Sequence, residues 1–189
     1  ISLPKSPLLA EAYFRLSEIK YRILHDFDQA YNLLHKAMQN KPDKRLRLKI
    51  VLRIADVLMA KGQSKEALMF LKRQLKQNYL PAIEQKMILV HFLTDDPDST
   101  MKIVQSSFIT MSPIDPSFND LMELKNILTQ YYNNEPSGKI TFKHFLKAEW
   151  YLRQRKIGDA IRELNFLWNQ DSMAAIAPLA MLRRCLLHY

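Results

Sequence analysis

AEAYFRLSEIKYRILHDFDQAYNLLHKAMQNKP, residues Ala10–Pro42, holds two stretches of helical patterning around a short break. Just ahead of it, Ser6 and Pro7 make a helix start: a side chain able to cap, then a proline whose missing N–H costs nothing in the first turn. Leu9, Ala12, Tyr13, Leu16, Ile19, Lys20 and Ile23 then keep helical spacing. His25–Asp28 makes the turn. Ala30, Leu33, Leu34, Ala37 and Met38 give the returning helix an apolar stripe, and Pro42 stops it. Small residues at a helix crossing let the backbones come close, while larger ones fill the groove beside them. The spacing predicts a helical hairpin.

The same design recurs downstream. After Asp43, the residues Leu46, Ile50, Val51, Ile54, Ala55 and Leu58 share one face, and Gly62 falls where a left-handed cap ends a helix. Ser64 opens the partner helix, with Ala67, Leu68, Leu71 and Leu75 on its stripe and Pro81 beyond. The turn alanines, Ala30 and Ala67, lie 37 residues apart, inside the window of helix-pair repeats. A third unit pairs a helix at 82–93 with one that starts at Pro97 within Asp95–Asp98 and runs to about Phe108; Thr100 stands where an alanine is expected. Thr110–Pro116 is a proline-marked boundary. Asp115 and Pro116 open a helix carrying Phe118, Leu121, Leu124, Leu128 and Tyr131, which Asn133–Gly138 ends. Phe142–Arg155 and Ile157–Asn169 form a last clear pair, and Ala174–Tyr189 reads as one more helix with nothing to pair with. The expected organisation is hairpins over 1–109 after a short arm at 1–6, a linker at 110–116, and divergent helices with a capping helix over 117–189. A chain opening on Ile1 reads as a piece of a longer polypeptide.

Composition agrees with an all-α fold. The 189 residues are 48% hydrophobic and 25% charged, with only 3 glycines and 9 prolines, a lean supply of the turn residues that sheets require. The net charge of +9 admits nucleic acid, an anionic membrane surface or an acidic protein as partner, and equally a solvated basic surface. A single cysteine, Cys185, excludes a disulfide framework and a cysteine-rich zinc site. No apolar run reaches the roughly 18–20 residues that span a bilayer, so no transmembrane segment is expected.

The first two units resemble the tetratricopeptide repeat. Tyr13, Leu16, Ala30, Leu34, Ala37 and Pro42 match its large and small positions, with Ser17 in place of a small glycine or alanine and one extra residue before the turn. In the second unit Val51, Ile54, Ala55, Leu58, Gly62, Ala67 and Leu71 match, while Gln74 and Tyr79 depart. Ala148, Tyr151, Ala160 and Leu164 match in the last clear pair, where Lys147 takes a position usually given to leucine. The resemblance implies a right-handed α-solenoid of about four to five antiparallel hairpins, stacked so that each buries its neighbour's face. It also implies a non-enzymatic scaffold or adaptor that binds a protein or peptide.

Signals for chemistry are sparse. With glycines only at 62, 138 and 158, no glycine-rich phosphate loop can form. His25, His35, His91, His144 and His188 lack metal-ligand spacing. Cys185, on a stripe with Leu182 and Leu186, reads as a core residue. No catalytic residue, metal site or cofactor is expected.

Carried over from the family, the groove positions on the first helix of each hairpin are Glu11, Phe14, Glu18 and Tyr21 in the first unit. In the second they are Lys49, Leu52, Asp56 and Met59, and in the last pair Phe142, Phe145, Glu149 and Leu152. Glu18, Asp56 and Glu149 are equivalent, which places acids on the inner face of a basic protein. The family's carboxylate-gripping clamp is absent: Lys49 and Arg53 mimic only part of it. Two readings stand side by side. In one, the groove takes an apolar or basic helix or peptide; in the other, the acids pair with Lys20, Arg22, Arg53 or Arg153. An alternative partner is RNA, since Lys44, Arg45, Lys49 and Arg53 put cations at helical spacing, Lys61, Lys65, Lys72, Arg73 and Lys76 continue the excess, and the related pentatricopeptide repeats bind single strands. A third is a second copy of the chain, docked through the C-terminal helix.

Overall fold

The first hairpin closes where its capping residues direct it. In the computed structural model, α1 (Pro7–Arg22) starts with the Ser6 hydroxyl accepting from the Leu9 amide at 3.2 Å, and α2 (Phe27–Gln39) with Asp26 accepting from Gln29 at 3.0 Å. His25 makes the intervening turn with φ 51°, in the left-handed region. Asp43 caps α3 (Lys44–Ala60) by accepting from the Leu46 amide at 2.7 Å. Gly62, at φ 76°, ends it in the left-handed conformation expected of a glycine cap. Then follow α4 (Ser64–Gln77), α5 (Pro81–Thr94), α6 (Pro97–Thr110), α7 (Ser117–Leu128), a π-helical turn at Thr129–Asn133, α8 (Gly138–Arg153), α9 (Ile157–Gln170) and α10 (Ala177–Leu186).

The structure describes residues 6–77, 80–94, 96–114, 117–134 and 136–187. The arm at 1–5, Tyr79, Asp95, the Asp115–Pro116 pair, Glu135, His188 and Tyr189 lie outside the described residues. Among the described residues all regular structure is helical, with ten α-helices. Two compact units are present, residues 1–86 and 87–189, the division falling inside α5. The 111–114 segment lies between α6 and α7, within the second unit.

In the first unit α1 packs on α2, α2 on α3 and α3 on α4. The fully buried small residues are Ala10 and Ser17 in α1, Ala30 and Ala37 in α2, Ala55 in α3 and Ala67 in α4. Ser17 satisfies its own hydroxyl by donating to the Phe14 carbonyl at 2.6 Å. The packed stripe of α1 is Ala10, Phe14 and Ser17, one position over from the stripe of Leu9, Leu16, Ile19 and Ile23. The reason is the hairpin's need for close approach: Ala10 and Ser17 permit it and the larger residues do not. Leu16 and Ile54 occupy equivalent repeat positions, yet Leu16 is 43% exposed and Ile54 fully buried. α3 has α1, α2 and α4 packed on it, whereas α1 packs mainly on α2.

The second unit is built around aromatic rings. Phe142, in α8, is fully buried among Phe92, Tyr131, Tyr132 and Phe145, with ring centroids 6.1–6.5 Å away. Tyr132 donates its hydroxyl to Asp98 at 3.0 Å. Desolvation, then that carboxylate acceptor, pushes its pKa up to about 12, so the phenol stays protonated. Thr100, buried at the turn position, directs its hydroxyl to the His91 carbonyl at 3.3 Å. α8 begins at Gly138, four residues before the Phe142 expected from periodicity; its first turn buries Gly138 and Thr141 and leaves Lys139 and Ile140 exposed. α10 does have a partner: it packs on α9 through Ala177 and Ala180.

Leu71, fully buried in α4, sets the scale of this packing. Leu71→Ala is expected to lower unfolding free energy by about 2–5 kcal/mol. Ser17→Ala, which removes a hydroxyl satisfied within its own turn, should change it by less than about 1 kcal/mol. Ser17→Leu should cost about 1–3 kcal/mol by forcing α1 and α2 apart. Urea unfolding of the three variants measures the ranking.

Candidate functional site

Four charged side chains from successive first helices meet in the first unit. Glu18 of α1 faces Arg53 of α3, with Arg53 Nε 2.5 Å from Glu18 Oε1 and Nη2 donating to Oε2 at 3.0 Å. The Nε approach is an ion-pair contact; the Nη2 bond carries the hydrogen-bond geometry. Arg53 Nη1 donates to Asp56 at 3.2 Å, and Lys86 Nζ of α5 donates to the other Asp56 oxygen at 2.9 Å. Arg22 approaches Glu18 from outside at 2.9 Å. The Arg53 guanidinium also lies over the Tyr21 ring, 5.0 Å from its centroid. The four central side chains keep 17–19% of their area exposed, so the row is shielded but not dry. In such a setting each pair gains roughly 4 kcal/mol of Coulomb energy at contact. Desolvation offsets much of it, so the row's value is geometric.

The acids expected on the inner face are ion-paired in this structure. Glu18 is committed to Arg22 and Arg53, and Asp56 to Arg53 and Lys86. In the second unit Glu149 accepts two bonds from Arg183 of α10, at 2.6 and 3.0 Å; the carboxylate holds the Arg183 pKa above its ordinary value. The partner of Glu149 is therefore Arg183, not the nearer-in-sequence Arg153.

The remaining groove positions divide by burial. Phe14 and Met59 are buried, and Phe142 is the centre of the aromatic core, so these three serve packing and do not line an open face. For Phe14 the cause is the shift of register that buries Ala10 and Ser17, while Met59 lies in the last turn of α3, where Val57–Ala60 are all buried. Glu11 is half-buried and pairs with Arg15 at 2.6 Å. Tyr21 tilts against Phe27 at 5.8 Å beneath Arg53. Lys49 is exposed, and Leu52, Phe145 and Leu152 are half-buried. Cys185 is exposed, as are Leu182 and Leu186, because α10 turns Ala177 and Ala180 toward α9 instead.

The cation stripe of α3 is split by the fold. Arg53 is drawn into the ionic row. Lys44, Arg45 and Arg47 stay at the helix start, where no acid occupies the first turn and the helix dipole opposes each of them by about 0.3–1 kcal/mol. They border a cleft with Leu48, Val51, Gln74, Gln77, Leu80 and Ile83 that the apolar pattern does not announce. A second cleft, about 380 Å3, is lined by residues of α2 and α4 with Leu58, Lys61 and Gln63, and includes Tyr31, His35, Glu66 and Arg73. His35 lies tilted against Tyr31, with ring centroids 4.5 Å apart, and its buried Nε2 has no hydrogen-bond partner among the described residues. Desolvation lowers its pKa below the ordinary histidine value.

Against known sequences, the tetratricopeptide repeat matches residues 22–87. Over that third of the chain the sequence is similar to the tetratricopeptide repeat. The matched span runs from the end of α1 through α2, α3 and α4 into α5, and so contains Arg53, Asp56 and Lys86. Tetratricopeptide repeats generally mediate protein–protein interaction and are typically non-enzymatic. No curated protein sequence matches the chain significantly. Among the described residues no three His, Cys, Asp or Glu side chains come together as metal ligands, and no helix is long and apolar enough to cross a membrane.

Two outcomes test this geometry. A double-mutant cycle of Glu18→Gln and Arg53→Met, followed by urea unfolding, should return a coupling of about 1 kcal/mol or more; additive effects would show that the pair is not formed. His35 has a folded pKa below its unfolded value, so the unfolded chain binds more protons as pH falls through the ordinary histidine range. Stability is then full above that range and is lost as pH falls through about 6.5 toward the folded value. Thermal melts at pH 7 and pH 5 should show a larger loss for wild type than for His35→Phe.

Proposed function

We propose that the chain is a non-enzymatic docking module whose partner, a protein helix or an extended peptide, lies along the first-helix face of α1 and α3. The observation that carries this reading is the tetratricopeptide match over residues 22–87, since repeats of this family generally bind proteins. The face holds the paired row of Glu18, Arg53, Asp56 and Lys86, with Glu11, Lys49 and Leu52 beside it. Because the acids are already compensated, a simple basic ligand gains little there. A partner with apolar side chains against Leu52 and main-chain amides beside the row is better matched, and its polar groups meet fixed donors and acceptors that need no reorganisation.

Site-specific photo-crosslinking tests the assignment. With a photoreactive phenylalanine analogue at Lys49 or Leu52, covalent adducts to a partner protein should form in cells. The same analogue at Lys65 or Lys72, exposed on α4, should give none. Adducts confined to the α4 positions would overturn the reading.

A further inference from the structure

A cleft of about 500 Å3 is lined by residues of α3 and the end of α4, by Leu80 just before α5 and by Ile83 in its first turn. That size is within the roughly 300–1,000 Å3 of clefts that seat ligands. The floor is aliphatic, with Val51 and Ile83 buried and Leu48 and Leu80 half-buried. Lys44, Arg45 and Arg47 stand exposed on one rim, and Gln74 and Gln77 complete the wall. Among the described residues no carboxylate lines the cleft. Two carboxylates adjoin lining residues in sequence: Asp43, which accepts from the Leu46 amide at 2.7 Å, and Glu84, which follows Ile83 in the first turn of α5.

What sets these cations apart is their grouping at one helix start beside an aliphatic cleft; the lack of a carboxylate partner they share, among the described residues, with Lys49, Lys65, Lys72 and Lys76. Arg15, Arg22, Arg53, Lys61 and Lys86 each have a carboxylate partner. Lys44, Arg45 and Arg47 have none among the described residues, and they sit at the end of α3 where the helix dipole disfavours positive charge. The fold gains nothing from placing three cations together there. A ligand with negative charge would.

We propose that this cleft docks an acidic peptide segment carrying an apolar anchor. Its carboxylates meet Lys44, Arg45 and Arg47, and an aliphatic or aromatic side chain rests on Leu48, Val51, Leu80 and Ile83. The Gln74 and Gln77 amides can donate to and accept from the peptide backbone. Charge complementarity selects this occupant. A second copy of a chain with net charge +9 is repelled on approach. Single-stranded nucleic acid needs ring faces on which bases stack, whereas the floor here is aliphatic and, among the described residues, no aromatic side chain lines the cleft. The site is distinct from the first-helix face, so each can fail without the other.

The test uses the full chain and a fluorescein-labelled synthetic peptide with leucines at helical spacing and glutamates elsewhere, read by fluorescence anisotropy. One companion peptide replaces the leucines by serine and another the glutamates by lysine. The Glu/Leu peptide should bind, and the combined variant Lys44→Glu, Arg45→Glu, Arg47→Glu should weaken it at least about tenfold. Leu80→Glu should weaken it as well, while Lys65→Ala, exposed on α4 and outside both the cleft and the first-helix face, should leave it within about twofold. Circular dichroism confirms that the rim variant, changed only at exposed positions, is folded. The proposal is overturned if the Glu/Leu peptide does not bind, if the serine peptide binds equally well, or if the rim variant binds within about twofold of wild type. Tighter binding of a single-stranded RNA oligonucleotide that displaces the peptide would reassign the surface to nucleic acid.

Discussion

Everything in the first unit depends on how closely paired helix backbones can approach. Ala10, Ser17, Ala30, Ala37, Ala55 and Ala67 are each fully buried, and none carries a side chain long enough to hold two helices apart. Close approach brings the larger residues, Phe14, Leu34, Ile50, Ile54 and Leu71, into contact over most of their area. It also brings Glu18 of α1 within reach of Arg53 of α3, so the ionic row follows from the packing. A serine among the alanines is tolerated because its hydroxyl turns back on its own helix.

Local signals in the sequence translated directly into structure. Ser6, Asp26 and Asp43 cap helices through bonds to residues three positions on, and Gly62 ends α3 by a backbone angle that disfavours other residues. These devices act within one turn, so residue type and spacing are sufficient to read them. α1 was harder because it carries two apolar stripes of nearly equal strength. Periodicity alone cannot choose between Leu9–Leu16–Ile23 and Ala10–Phe14–Ser17. The choice is made by the partner helix, which needs small residues opposite it.

The candidate site was legible only in part, for the same reason. Arg53 and Asp56 are one turn apart and pair predictably. Glu18 to Arg53 spans 35 residues and Asp56 to Lys86 spans 30, so those bonds emerge only when helices are stacked. Glu149 finds Arg183 across 34 residues. Cys185 misled because an apolar stripe does not say which of its sides meets a neighbour; α10 meets α9 through alanines and leaves Leu182 and Leu186 outward. The cleft beside Lys44 is a property of three helix ends together, and no single stretch contains it.

The ionic row has a consequence for how this sequence can change over time. Its signs alternate, negative at Glu18, positive at Arg53, negative at Asp56 and positive at Lys86, and each interior member serves two neighbours. Loss of Arg53 alone leaves two acids facing each other with little water between them. A compensating change at Glu18 or Asp56 must come with it or before it. Viable sequences for this face are thus reached by coupled steps, and the order of those steps is constrained by electrostatics.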